Sequence, residues 1–400
     1  MDLFLRPWLL SDTLYDVRNV VCLGLLAGAA LAQTAALNKG VFEGKPSLAI
    51  ANGKLQLTVL IQGTSIADLV LLDDAEKLSP LWNPGRMARE LGKSSEFSGT
   101  GHFVCVDGFG PTSAEERAAG LEGHGEAHRQ IYEITHSGRE GSATALTLQA
   151  TLPIVQERFT RTFRMVDGEN VVYVESRLEN LLGFDRPINW AEHATVGSPF
   201  LEPGVTLIDL SGSRSRTRPY DQVKAGGSQR RLTSGDDFTW PVAPGLEGRK
   251  FNLRETPTDL HYLDHATTLL DPARAVEWVT ALNPKKRLVY GYIFRREDYP
   301  WLQYWGNYPP TQKLARGLEF GTQPFDVPRR EAIGMGRMFD TPTYKWLPAK
   351  SKLETHFLLF YTRVPEGFHK VDEVRLEKGR IIIEDRTANR QVTLAASRPL

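Results

Sequence analysis

Cysteine is almost missing from the sequence. The 400 residues hold two, Cys22 and Cys105, and no Cys/His cluster has zinc-ligand spacing, so neither a disulfide framework nor a metal site is expected to organise the chain. Net charge is missing too. The 48 basic residues balance 48 acidic ones, so nothing suggests an electrostatic grip on nucleic acid or an anionic membrane. Helical periodicity is scarce, confined to 112–119 and a weaker stretch at 370–378, and no repeat of about 20–50 residues is visible. Nor is there an apolar run of the about 20 residues that a membrane-spanning helix needs. Hydrophobic residues at 41% and charged residues at 24% are nevertheless the balance of a chain with a large core, not of a disordered one.

What the N-terminus does hold is an export signal. Residues 20–32 are apolar and end in Ala30-Leu31-Ala32, the small-x-small pattern of a signal-peptidase site, so 1–32 reads as a signal peptide cleaved before Gln33. The stretch ahead of it, with Asp2, Asp12 and Asp16, is long and acidic for such a leader, which fits a start codon assigned too far upstream. Cys22 leaves with the leader. A single remaining thiol fits a periplasmic or secreted protein whose core needs no staples, without stable membrane insertion once the signal is removed. Segment 33–46 reads as a lead and 47–400 as a single domain.

From 47 onward the dominant signal is alternation at a two-residue period. Asn52-Gly53 and Asp167-Gly168 are hairpin turns, the second joining 157–166 to 170–180. Further strands are expected at 66–72, 102–106, 130–135, 143–152, 276–282, 287–295, 301–305, 353–364, 380–384 and 391–394. Residues 188–190 read as a strand that partners 171–180 and ends at His193. The stretch 85–101 reads as a loop, and 211–260, rich in Arg, Ser, Gly and Pro, as a long surface excursion. Many strands joined by short turns predict an all-β chain folded as one large antiparallel sandwich.

Polar positions stand out against this background. His193 precedes Gly197, Pro199, Pro203 and Gly204, where the backbone must leave the sheet; taken alone the imidazole there reads first as a core or capping histidine, and otherwise as one that meets a ligand. His124 lies between Gly123 and Gly125, which allow close backbone approach to a ligand but also make a simple turn. Glu319 is flanked by Leu318 and Phe320 and set between Gly317 and Gly321. Partial burial there would raise its pKa and make it a better proton acceptor, unless Arg316 pairs with it. In 301–305, alternation puts Trp301, Gln303 and Trp305 on one face, which is either a packed core face or the flat aromatic surface with an amide that a pyranose stacks on.

The order of these pieces carries more than any one of them. His124-Gly125, then Asn189-Trp190-Ala191-Glu192-His193, then Leu302-Gln303-Tyr304-Trp305-Gly306-Asn307, then Gly317-Leu318-Glu319-Phe320-Gly321-Thr322-Gln323-Pro324 resembles the aldose 1-epimerase (galactose mutarotase) superfamily. The resemblance covers about residues 45–365 and is closest over 157–204. It implies a β-supersandwich and ring opening of a free sugar with no metal or cofactor. By position it makes Glu319 the base for the anomeric hydroxyl, His193 the acid for the ring oxygen and His124 the histidine that orients the sugar. Asp209 stands as the candidate for the family's substrate-binding aspartate. After His193 the chain runs Ala194-Thr195-Val196-Gly197-Ser198-Pro199-Phe200 where the family has a Tyr-Phe-Asn type stretch, the form of a divergent branch. The expected partner is a small-molecule sugar or an oligosaccharide. Two other functions share such a fold: a non-catalytic carbohydrate-binding module, and a polysaccharide lyase or glucan-processing role, which calls for a tyrosine or carboxylate base near an arginine and would make Tyr304 and Tyr308 matter more than His193.

Overall fold

Turn chemistry sets the first hairpins. Gly53 (φ +84°) and Gly168 (φ +76°) take the left-handed backbone their turns require. Lys45–Ala51 therefore pairs with Leu55–Leu60, and Glu157–Val166 with Val171–Asn180. Asn52 ties the two turns together: its side-chain oxygen accepts from the Lys54 and Leu55 amides while its own amide donates to the carbonyls of Val166 and Glu169. The computed structural model describes residues 37–95, 99–220 and 229–400; the signal peptide expected over 1–32 lies outside them.

Two antiparallel sheets, one of twelve strands and one of eight, are packed through a shared core. Leu57, Val104 and Trp190 from the larger sheet join Leu146, Phe159, Val174 and Leu359 from the smaller in one buried cluster. A C-terminal sheet of three strands, Glu373–Glu377, Arg380–Asp385 and Arg390–Ala395, covers the far face of the eight-stranded sheet, with Val374, Ile381 and Ile383 against Trp278, Leu358 and Phe360. The chain is all-β as expected, an antiparallel sandwich of large sheets. No helix among the described residues is long and apolar enough to cross a membrane.

The inter-sheet core also holds a charged knot. Glu192 accepts from Arg161 Nη2 at 2.6 and 2.8 Å, meets His102 Nε2 at 2.7 Å, and accepts from Trp190 Nε1 and Tyr299 Oη at 3.1 Å each. Burial alone would raise this carboxyl, but the Arg161 charge and the hydrogen bonds bring it down to about 2.

Local expectations change where burial is two-sided or the buried face is polar. Trp190–Gly197 does not partner Val171–Asn180. It crosses to the twelve-stranded sheet between His102–Val106 and the short strands Ala315–Gly317 and Glu319–Gly321, with His193 in its middle. All eight of its residues are buried, so its end is not marked by a change in polarity. Tyr262–Leu270, absent from the expected strands, lies inside the same sheet beside Trp301–Tyr308. Asp264, on its core side, is neutralised by a two-pronged contact from Arg231, which masks the alternation. The expected excursion 211–260 contributes Gly212–Thr217 and Asp237–Thr239 to one edge of this sheet. Asn38–Phe42, within the expected lead, forms the other edge. The loop expected at 85–101 begins with a helix, Pro84–Glu90, capped by Asn83. The weak helix at 370–378 is instead the strand Glu373–Glu377.

Candidate active site

Alternation along Trp190–Gly197 sends Glu192 into the core and His193 to the opposite face of the sheet. Phe103 is the direct cross-strand partner of His193, and the two rings stack at 4.2 Å and 20°. His193 Nδ1 meets the Thr195 hydroxyl at 3.0 Å. Its Nε2 is left to face Glu319 Oε1 at 3.3 Å.

Glu319 owes that position to the glycines around it. A Cβ on Gly317 would lie 2.1 Å from Glu319 Oε1, and one on Gly321 would lie 3.0 Å from the Ala191 Cβ. The carboxylate thus folds back over a bare backbone. Arg316, the alternative partner, points the other way, over the Tyr304 ring and to the Leu253 carbonyl.

His124 comes from a loop forced close to the sheet. It has φ +68°, and Gly125 follows at φ +73° with no room for a side chain, since a Cβ there would sit 2.4 Å from the Val106 carbonyl. The His124 ring stands at 75° to His193, 5.1 Å away. The Gly110 amide donates to its Nδ1 at 3.3 Å.

These groups share a cavity of ≈ 310 Å³ with Trp82, Trp305, His265 and Asp326. Trp82 and Trp305 meet edge to face at 5.9 Å and are half-buried. His265, opposite Trp305 in register, is hydrogen-bonded to the Tyr220 hydroxyl and lies 3.9 Å from Asp326. Arg218 donates to Asp326 Oδ1 at 2.5 Å. Gln303, the cross-strand partner of Glu319, accepts from the Asp326 amide at 3.0 Å. Gln303 Nε2 and Glu319 Oε1 have no hydrogen-bond partner among the described residues. Buried polar atoms in that condition call for a ligand or water. No group of three or more His, Cys, Asp or Glu side chains is placed to hold a metal ion among the described residues.

Burial dominates the electrostatics. It pushes Glu319 well above the ordinary carboxylate range, with the Asp326 charge adding to the effect. It holds His193 well below the usual imidazole value, helped by His124, and takes His124 down to about 4 despite Asp326. His265 is lowered by the same cause. A raised carboxyl beside a lowered imidazole means that burial drives both groups toward their neutral forms.

The structure therefore brings Glu319, His193, His124 and Trp305 to one cavity and leaves other candidates out. Asp209 is in the eight-stranded sheet, held by the Val371 amide and Arg254. Trp301 is fully buried, donating to the Pro342 carbonyl. Gln303 is buried and does not line the cavity. Tyr304 and Tyr308 lie on the core face, bonded to each other at 2.7 Å. Sequence reasoning passed over Trp82, His265, Asp326, Arg218 and Tyr220, none of which lies in a stretch that alternation singled out.

No protein-family model matches the sequence, and no curated protein matches it significantly. Solved structures do resemble it. A proposed aldose 1-epimerase from Klebsiella pneumoniae superposes with a TM-score of 0.56 at 13% identity, covering 80% of each chain. A galactose mutarotase-like protein from Clostridium acetobutylicum gives 0.56 at 11%, covering 82% of this chain and 99% of that one. A galactose mutarotase related enzyme from Lactobacillus acidophilus gives 0.51 at 13%, covering 82% and 100%. The fold of this chain is that of the galactose mutarotase-like proteins.

Proposed function

We propose that this protein is an exported carbohydrate-active enzyme that interconverts the anomers of a free sugar by opening and reclosing its ring. The observation that carries the reading is the 3.3 Å contact between Glu319 Oε1 and His193 Nε2 at the wall of a cavity of ≈ 310 Å³, at the small end of the range for ligand pockets. The anomeric hydroxyl oxygen and the ring oxygen are bonded to the same carbon. The two groups that serve them must therefore lie side by side, as these do.

The proton count closes. Sugar hydroxyls that hydrogen-bond Glu319 favour its charged form, and the proton it gives up passes to His193. Glu319 then takes the anomeric hydroxyl proton, the C1–O1 bond becomes a carbonyl, and the C1–O5 bond breaks. O5 takes the proton from His193 Nε2. Rotation about C1–C2 presents the other carbonyl face, and the reverse transfers close the ring. Trp82 and Trp305 offer the apolar C–H face of a pyranose a wall, and His124 is placed to orient it.

The test is polarimetry on freshly dissolved aldoses with purified protein, in wild type, Glu319→Gln and His193→Asn. Loss of a general acid or base costs about 10²–10⁴-fold, and the double variant should cost less than the product of the singles because both groups serve one proton exchange. Sugar binding with no acceleration over buffer across an aldose panel would replace this reading with that of a binding module. Export is tested separately: N-terminal sequencing of the mature protein should begin at or near Gln33.

A further inference from the structure

Three arginines, Arg214, Arg216 and Arg218, alternate along and just past Gly212–Thr217, the strand next to one edge of the large sheet. Residues two apart on a strand project to the same side about 6.6 Å from each other. Their contacts place all three on the cavity side. Arg214 and Arg216 lie over the Phe339 ring at 4.0 and 5.0 Å, and Arg218 binds Asp326 in the catalytic cavity. The serine between the first two turns away: Ser215 is fully buried and bonds Thr268 at 2.8 Å.

The ladder lines two further hollows and touches the catalytic one only through the Arg218 contact with Asp326. Phe325, next in sequence to Asp326, lines a second cavity of ≈ 360 Å³ together with Arg216, Arg214 and Arg337. Arg214 and Phe339 are shared with a third, of ≈ 840 Å³, which adds Arg274 and Arg296. Two carboxylates, Asp271 and Asp340, line these two cavities against five guanidinium groups. Arg216 is paired with Asp237 and Arg274 with Glu373. Arg214 and Arg296 meet no carboxylate within ion-pair distance among the described residues. Guanidinium groups thus outnumber carboxylates along two cavities whose arginine row ends at Arg218, the partner of Asp326 in the catalytic cavity, in a chain whose 48 basic and 48 acidic residues cancel.

We propose that this arginine row binds the remainder of an acidic oligosaccharide, a chain of carboxylate-bearing sugars whose reducing end occupies the catalytic cavity. The proposal rests on the ring-opening reading and deepens it to a substrate class. A guanidinium offers a planar fork that matches a carboxylate with two hydrogen bonds. Stacking on Phe339 uses the faces of Arg214 and Arg216; it leaves the edge donors of Arg214 available and those of Arg216 other than the Nε that Asp237 takes. Regular spacing along a strand suits a ligand whose charges recur along a chain. A lone monosaccharide has no use for an extended row.

The experiment is titration calorimetry of the full chain with a tetrameric oligouronate, a neutral tetramer of the same linkage, and a sulfated tetramer. The oligouronate should bind at least tenfold tighter than the neutral chain at low salt, with the advantage shrinking as ionic strength rises. Arg214→Ala with Arg216→Ala should abolish that advantage. Arg214→Lys, which keeps charge but not the fork, should restore only part of it. Both arginines are at the surface or half-buried, so an unchanged unfolding transition checks that the variants fold. Equal affinity for acidic and neutral tetramers, or an advantage that survives the double substitution, overturns the proposal. Preference for the sulfated chain overturns the carboxylate class. Wild-type polarimetry on a neutral aldose separates the two readings: turnover without acidic preference sinks the groove alone, and arginine-dependent acidic binding without any turnover sinks the enzyme alone.

Discussion

The imidazole of His193 lies flat on the ring of Phe103, its direct neighbour across the strand pair, at 4.2 Å and 20°. The stack fixes the plane of the imidazole, so that one nitrogen meets Thr195 and the other Glu319. Phe103→Leu keeps most of the buried volume but removes the flat surface. It should cost less than about 1.5 kcal/mol of stability. Turnover should fall much further, because misplacing a reacting group by about 1 Å can cost 10²-fold. Urea unfolding and polarimetry side by side measure the two effects; parallel small losses would mean that the stack serves packing only.

Asp326 lines the same cavity as Glu319 and acts on it through its charge. Burial is the larger cause of the raised Glu319 pKa, and Asp326 is the second. Asp326→Asn removes the second cause, so the Glu319 pKa falls and the limb of the pH–rate profile that reports Glu319 moves to lower pH. The groups facing Asp326 are Arg218, His265 and the Gln303 amide oxygen. Arg218 keeps its contact with the Asp326 carbonyl in the variant, which preserves the local fold. A limb that stays in place, or moves to higher pH, would show that Asp326 does not act on Glu319 through its charge.

Much of this site was legible before any coordinates. Glu319 between its glycines, His124 beside Gly125 and Trp305 on an alternating strand could be read because a single local feature marks each. Trp82, His265 and Asp326 could not. Each is brought to the cavity by pairing between distant segments: Trp82 by the hydrogen bond its backbone N–H donates to the Thr195 carbonyl, His265 by register with Trp305, and Asp326 by the Gln303 side chain. The crossing of Trp190–Gly197 to the second sheet was hidden for a related reason. Its inward residues include Glu192, whose burial is tolerable only because Arg161 arrives from the other sheet. Alternation gives the phase of a strand, not the sheet it joins.

Acid should weaken the fold through its buried histidines. The native pKa of His124 is depressed to about 4, and His128, His193 and His265 are lowered too, all chiefly by burial. Between that value and an unfolded pKa of about 6.5 the unfolded chain binds more protons, so stability rises with pH across the window and is lost on acidification. His128 is fully buried with neither ring nitrogen hydrogen-bonded among the described residues. His128→Leu should cost little at pH 7 and reduce the loss of melting temperature between about pH 6.5 and pH 4. An unaltered acid slope would assign the sensitivity elsewhere.

The charged knot beneath the site provides the sharpest test of how the two sheets hold together. Glu192 and Arg161 are both fully buried, one from each sheet. Arg161→Met removes the cation and leaves a carboxylate in the core, a change that costs about 3–5 kcal/mol when the partner charge stays uncompensated. Its pH dependence follows from the native pKa of about 2. Wild-type stability from this group is full above the unfolded value of about 4.5 and is lost as pH falls toward 2. In Arg161→Met the pKa rises, so much of that dependence disappears. Adding Glu192→Gln should recover part of the loss at pH 7, because the amide oxygen still accepts from Trp190 and Tyr299 while the stranded charge is gone. Urea unfolding of the four proteins gives the coupling energy directly. Losses that simply add would mean that the pair contributes packing but no electrostatic link, and that the strand carrying Glu192 inward and His193 outward is held by its neighbours in the sheet instead.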